Sequence, residues 1–249
     1  MEIHSSAERW DFTEEPRFVC TVIIFRRIDD YFWVNSYKRD RDLKAQVYDI
    51  SEVNKIPESH IFPPFEGGLT KYEGANRSDR FIKQPYLTSY SNSDAIANRV
   101  LREARICQTI QEFPHRNVAR YYGCCISSRS LIIGLCFECY AETLSERMGR
   151  GIKISDECLD QLKEGVLHLH SLGIVHNDLN QDNIMFHTLE DEEPVLIDFD
   201  SSAKRGEPLP AKRGPVPDGV FTAEFDNDLT AFERICLDIK FKQQDSLAK

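Results

Sequence analysis

Two runs rich in β-branched and aromatic residues lie within RFVCTVIIFRRIDDYFWVNSY, residues 17–37, and flank the polar stretch Arg26 to Asp30. That pattern predicts a hairpin. Residues 38–57 are charged, then acidic, and show no clear period. IPESHIFPPFEGG, residues 56–68, carries prolines and glycines that mark a boundary or an irregular approach to the core. DRFIKQPYL predicts a short strand that ends at Pro85. A helix is predicted over 93–112, with Ser93 or Asp94 as its cap and Ile96, Val100, Cys107 and Ile110 as its apolar stripe. NVARYYGCCI and SLIIGLCFECY read as antiparallel strands. A second helix runs through SDECLDQLKEGVLHLHSLG, with Leu159, Leu162, Val166 and Leu169 as its stripe, Ser155 at its start and Gly173 as its stop. NIMFH and PVLIDFD predict a short hairpin. Residues 201–220 read as a glycine- and proline-rich loop bearing Lys204, Arg205, Lys212 and Arg213, and a last helix spans about 226–241. Strands and one helix, then strands, then a mainly helical part argue for an α+β fold in two layers or lobes.

Three polar features stand out against this pattern. Glu103 falls on the apolar stripe of the first long helix. A carboxylate on a buried face needs a cation or several donors. The segment HNDLNQDNIM, residues 176–185, places many polar residues between two apolar runs. If residues 184–186 pair with 195–197, Asn183 and Asp198 come to the same end of the hairpin and can face one divalent ion. Such oxygen ligands suit Mg²⁺, which commonly combines few protein ligands with substrate phosphates. Asp178 lies close enough in sequence to orient a hydroxyl beside them. Lys83, held by Glu103, would supply positive charge to the remaining phosphate oxygens. Together these residues suit phosphoryl transfer by positioning and charge neutralisation.

Composition adds limits. The 249 residues carry a formal net charge of -10, which does not favour a nucleic-acid partner. No apolar run approaches the roughly 18 residues that span a bilayer, and the first residues lack a signal-peptide pattern. The expected setting is the cytosol or nucleus. There are eight cysteines. Cys124, Cys125, Cys136 and Cys139 raise a zinc reading, but a strand at 136–139 would turn the last two to opposite faces, so small buried hydrophobes are the better account.

The order of five segments then resembles the eukaryotic protein kinase family, and is similar to a divergent fungal branch of kinase-domain proteins. FIKQ resembles the lysine strand and RVLREARICQTI the helix with its paired glutamate. LCFECYAETL resembles the hinge, LHLHSLGIVHNDLNQDNIMF the long helix and catalytic loop, and VLIDFDSS the metal-binding aspartate segment. The resemblance implies a bilobal fold, with an amino-terminal, partly β extension at 1–60, a small lobe and hinge at 61–140 and a shortened large lobe at 141–249. It implies an ATP- and Mg-dependent kinase that phosphorylates a protein hydroxyl, on Ser or Thr. Lys83 would hold the α- and β-phosphates and pair with Glu103. Asp178 would orient or deprotonate the attacking hydroxyl. Asn183 and Asp198 would hold magnesium. Phe137 would be the gatekeeper, Glu138 to Tyr140 would offer backbone groups to adenine, and His176 would support the loop.

The sequence departs from the family at several places. No G-x-G-x-x-G precedes Lys83, and Gly67, Gly68 and Gly74 have another spacing. Asp200 replaces a glycine, Asn177 an arginine and Asn180 a lysine of the family pattern. No A-P-E closes the segment after Asp198, although Asp228 resembles the family's buried aspartate that braces the catalytic loop. A shortened lobe implies apolar surface covered by residues 1–60 or by a partner. These departures keep two other functions open. One is a pseudokinase that binds nucleotide or protein, and the other a small-molecule phosphotransferase sharing the H-x-D-x-x-x-x-N pattern. Oligomeric state is not legible.

Overall fold

A computed structural model of the chain describes residues 2–40, 53–74, 78–216 and 219–247. It is a mixed α and β fold whose contacts divide the chain into two compact units. Most of the charged stretch at 38–57 lies outside the described residues.

The first unit comprises residues up to Pro64 together with Gln84–Val100 and Ser127–Ile133. Its core is an antiparallel sheet of β1 (Glu2–Asp11), β2 (Arg17–Arg27), β3 (Asp30–Ser36) and β4 (Asn54–Lys55), in that order. The β2–β3 hairpin pairs Arg27 with Asp30, so the turn is only Ile28 and Asp29, and Ile28 takes the left-handed conformation with φ 57°. Strand β2 is buried without interruption from Cys20 to Phe25. Because alternate residues point to opposite faces, it serves two cores. Cys20, Val22 and Ile24 pack with Ile56, Ile61, Leu87, Tyr90 and Ile96. Ile23 and Phe25 pack with Phe32 on the other side. The fully buried Tyr90 ring keeps its hydroxyl satisfied at 2.8 Å from His60 Nδ1.

The second unit comprises Phe65–Lys83, Leu101–Ile126 and Gly134–Lys249. Strands β5 (Arg80–Lys83), β6 (Tyr121–Ile126) and β7 (Ile132–Glu138) form a sheet in the order β5–β7–β6, with Lys83 opposite Leu135. Helix α1 (Ala95–Glu112) begins in the first unit and continues in the second from Leu101; Ile96, Val100, Cys107 and Ile110 are buried, and Glu103 is buried among them. The short strand β8 (Glu142–Thr143) leads into α2 (Leu144–Gly149), which starts with a reciprocal cap between Thr143 and Glu146. Helix α3 (Asp156–Ser171) starts at Ser155, whose side chain accepts the Cys158 amide at 3.1 Å. Strands β9 (Ile174–Val175), β10 (Ile184–Phe186), β11 (Pro194–Leu196) and β12 (Ala203–Lys204) follow, then α4 (Phe225–Leu247).

Several expectations shift. The β10–β11 hairpin pairs 184–186 with 194–196, one residue earlier than the register read from sequence, because Ile184 faces Leu196. Residues 203–204 are not loop but a strand that pairs with β9. Strands β1 and β8 and helix α2 were not read from sequence, since each is short or carries a polar, weakly alternating pattern. Of the eight cysteines, all are free thiols, five are buried, Cys125 and Cys236 are half-buried and Cys139 is exposed.

Gly165 sets the approach of α3 to residue 117. A Cβ there would lie 2.8 Å from the Asn117 carbonyl oxygen and 3.0 Å from its Cβ. A Gly165→Ala substitution gains helix propensity of about 1 kcal/mol but overpacks this contact. We expect a net destabilisation of roughly 1–2 kcal/mol, read as a lowered midpoint in urea denaturation.

Candidate functional site

Within the second unit lies a cavity of about 430 Å³. Phe81, Ala119, Phe137, Met185 and Ile197 give it apolar walls, while Lys83, Glu103, Asn183 and Asp198 supply charge and an amide. Glu138, Cys139 and Tyr140 complete its lining. An apolar cleft with a few convergent polar groups is the usual form of a small-molecule site. The Cys139 amide already donates to the Asp79 carbonyl at 3.2 Å, and the Tyr140 hydroxyl accepts the Arg120 amide at 3.0 Å.

Lys83 is the hub of the charges. Strand β5 carries it and α1 presents Glu103, whose Oε1 lies 2.6 Å from Nζ. The same ammonium donates to Asp198 Oδ1, and Asp200 Oδ2 lies at 3.8 Å. Burial works against the charge on Lys83, but Glu103, Asp198 and Asp200 outweigh it and hold the pKa above the usual lysine range. Glu103 is pushed up to about 7 by its burial, with Asp198 and Asp200 adding to the effect and Lys83 opposing it. For Asp198, burial is overcome by Lys83 and then Lys212, which hold its carboxyl well below the usual range.

The loop between β9 and β10 carries the other candidates. Asp228, at the start of α4 and almost fully buried, accepts the His176 amide at 2.8 Å and the His170 ring at 2.9 Å through Oδ2. Its Oδ1 accepts the Asn177 amide at 2.8 Å. Asn177 adopts φ 61°, and its side-chain amide donates to the Val175 and Ser201 carbonyls. Asparagine tolerates this left-handed conformation better than the arginine of the family pattern would. His176 Nδ1 accepts the Asp178 amide at 3.3 Å, so the ring proton sits on Nε2 and points to the Ile197 carbonyl at 2.9 Å. His176 is thereby committed to holding the backbone. The Asp178 carbonyl accepts from Asn180 Nδ2 at 3.0 Å and from Asn183 Nδ2 at 2.8 Å. The amide of Asn183 is thus anchored by its donor end, which leaves Oδ1 as the atom able to accept a donor or meet a cation. Burial raises the pKa of Asp178, against the opposing charge of Lys212 and the hydrogen bond from Asn180. Asp198 closes the arrangement from beyond β11 in a left-handed conformation, φ 62°, and the Ile197 amide donates to the Asn183 carbonyl at 3.0 Å.

Two further groups take part. Lys212 Nζ lies 2.7 Å from both carboxylate oxygens of Asp200 and 3.1 Å from Asp198 Oδ2. In the sequence Lys212 is one of four basic residues of a glycine- and proline-rich loop, and no periodic pattern marks its partners. Asn183 and Asp198 line the same cavity, the carboxylates of Asp198 and Asp200 already take cationic partners from the chain, and oxygen donors of this kind are those that suit a hard divalent cation. By contrast, none of Gly67, Gly68 and Gly74 lines the cavity. Gly68 takes φ 93°, and the Leu69 amide closes back on the Glu66 carbonyl, so this is a turn.

The protein kinase domain model matches residues 76–221, more than half of the chain, and the chain belongs to that family. Over 39 residues it is 49% identical to the serine/threonine-protein kinase Pink1, mitochondrial, of Tribolium castaneum. That match covers 16% of this chain and 7% of the beetle protein. Among the described residues, no helix is long and apolar enough to cross a membrane.

Two measurements test the site's construction. Asp228→Ala strands the buried amides of His176 and Asn177, and we expect a loss of about 2–4 kcal/mol in chemical denaturation. Glu103 binds its proton near 4.5 when unfolded and near 7 when folded, so the folded state holds the extra proton between those values. The stability this gives is fully present below the lower value and is lost as pH rises through the upper one. A Glu103→Gln variant should therefore lose less stability than the wild type between about pH 5 and about pH 8.

Proposed function

We propose that the chain is an ATP- and Mg-dependent protein kinase, transferring the γ-phosphoryl group to a protein hydroxyl, on Ser or Thr. The observation that carries this reading is the gathering of Lys83, Glu103, Asn183 and Asp198 on one cavity, with Asp178 anchored beside them through Asn183. In this reading the chain has the family's two lobes, with small-lobe and hinge motifs at 61–140 and large-lobe motifs at 141–249.

Each residue has a role that its environment supports. Glu103 orients the Lys83 ammonium, which would neutralise phosphate oxygens. Asp198 and Asn183 would hold Mg²⁺, with Asp200 as a further oxygen donor; bound there, the metal would offset charge on the transferring phosphoryl group. Asp178, with its proton affinity raised by burial, accepts the proton of the attacking hydroxyl. The apolar walls exclude water from adenine, and Glu138 to Tyr140 offer it backbone groups. Substrate choice at the hydroxyl rests on the identity to the Tribolium kinase and on the family, and a protein partner or substrate follows from it. The setting we propose is cytoplasmic or nuclear.

A second reading has its own support. The turn at Gly67–Gly68 does not reach the cavity, and Lys212 already engages Asp198 and Asp200. Both features suit a pseudokinase that binds nucleotide or a protein partner without transfer.

Calorimetry with ATP, with and without Mg²⁺, tests the nucleotide and metal site, and an assay of phosphoryl transfer by the wild type separates the two readings. We expect magnesium-dependent binding by the wild type, weakened roughly tenfold or more in Asp198→Asn. Asp178→Asn should retain that binding yet lose phosphoryl transfer at least about a hundredfold. Unchanged transfer in Asp178→Asn would remove its assigned role, and no ATP binding by the wild type would favour the interaction module.

A further inference from the structure

Lys212 lies on the glycine- and proline-rich segment between β12 and α4. The base of that segment is closed by a Pro208–Thr222 bridge and by the Leu209 amide, which donates to the Phe221 carbonyl at 2.9 Å. Beyond this stem, Arg213 Nη1 donates to the Pro210 carbonyl at 3.0 Å and shapes a tight turn that presents Lys212. The turn makes two contacts with the site. The ammonium takes both oxygens of Asp200 and one of Asp198. Two residues on, the Gly214 amide donates to the Asn177 carbonyl at 2.9 Å. The Gly214 backbone lies so near Asp178 that a Cβ there would stand 3.1 Å from Asp178 Oδ1. The same short segment therefore fills the cation place with a lysine and lies against the carboxylate that an incoming hydroxyl must reach.

We propose that Lys212 is an internal cation plug, and that residues 210–214 must withdraw before a divalent cation and a hydroxyl-bearing substrate can engage the site. This rests on the reading of Asp198 as a metal ligand. The physical ground is charge. Glu103, Asp198 and Asp200 face two ammoniums, those of Lys83 and Lys212. A doubly charged ion brought onto the same two aspartates is repelled by Lys212 and competes for the same oxygens. Lys212 is 40% exposed along its side chain against 24% for Lys83, so its departure into water is the less costly of the two. The device couples metal occupancy to clearance of Asp178, since one turn makes both contacts. A plug closed about nine-tenths of the time weakens the apparent metal affinity about tenfold.

The test is Mn²⁺ binding to the whole chain without nucleotide, read from the electron paramagnetic resonance of free Mn²⁺. The wild type is compared with Lys212→Ala, Lys212→Gln, Lys204→Ala and Asp198→Asn. Lys204 supplies the control, because its loss removes the same charge from the strand that leads into the segment, where no contact with the two aspartates is made. We expect both Lys212 variants to bind roughly tenfold tighter, Lys204→Ala to stay within about twofold, and Asp198→Asn to abolish binding. Addition of Mn²⁺ to the wild type should also speed hydrogen exchange at the Gly214 amide. Equal affinity of wild type and both Lys212 variants, with Asp198→Asn still inactive in binding, overturns the plug and leaves the metal site standing. Equal tightening by Lys204→Ala also overturns it, as a general charge effect. Binding that survives in Asp198→Asn, or is absent from every form, overturns the metal reading and the plug with it.

Discussion

A single buried carboxylate, Asp228, fixes the geometry on which the candidate site depends. It accepts the amides of His176 and Asn177 and the ring of His170, so both oxygens are committed. Three donors on one buried carboxylate offset its desolvation, which an isolated charge could not bear. With those two amides pinned, Asn177 is held in its left-handed conformation and His176 turns its ring between the Asp178 amide and the Ile197 carbonyl. The loop that presents Asp178 is thus bound to α4 on one side and to the strand end before Asp198 on the other. Phe225 stacks on His170 at 4.3 Å and shields the hydrogen bond between His170 and Asp228.

The second organising element is the cluster of opposite charges around Lys83. Glu103 on α1, Asp198 after β11 and the Lys212 turn come from distant parts of the sequence. None is satisfied by its own element. Glu103 sits on a face that is otherwise apolar, and Asp200 is buried beside Phe199. Such groups are costly alone and stable together, so the cluster ties the sheet, the helix and the later loop into one electrostatic unit. It also makes the site responsive, because a change in any one charge alters the balance of the others. Lys212, the most exposed of the five charged groups in this cluster, is the natural point of entry for that change.

Much of this was legible in the chain itself. The stripe on α1 exposed Glu103 as out of place, and a misplaced carboxylate predicts a cation whatever the fold. The β10–β11 hairpin could be read from two short apolar runs, and it brings Asn183 and Asp198 to one end even though its register differs by a residue. The β2–β3 hairpin was equally clear, because its strands are rich in β-branched and aromatic residues. Strand β1 was not, since EIHSSAERWD alternates weakly and stays half-exposed, so that its pairing with β2 is what makes it a strand. The pair β9–β12 spans only two residues on each side and leaves no periodic trace.

The sequence by itself determined the local elements with strong period, and the identity and order of the polar residues that carry the family's motifs. Helical and strand periodicity depend on residues a few positions apart, so they survive in one dimension. Only the tertiary structure decided which charges meet. It gave Asp228 its three donors, committed the His176 ring to backbone support, and set Lys212 on Asp198 and Asp200 across a loop with no periodic pattern. Those pairings depend on the closure of long chain segments and on desolvation, and neither leaves a mark on neighbouring residues.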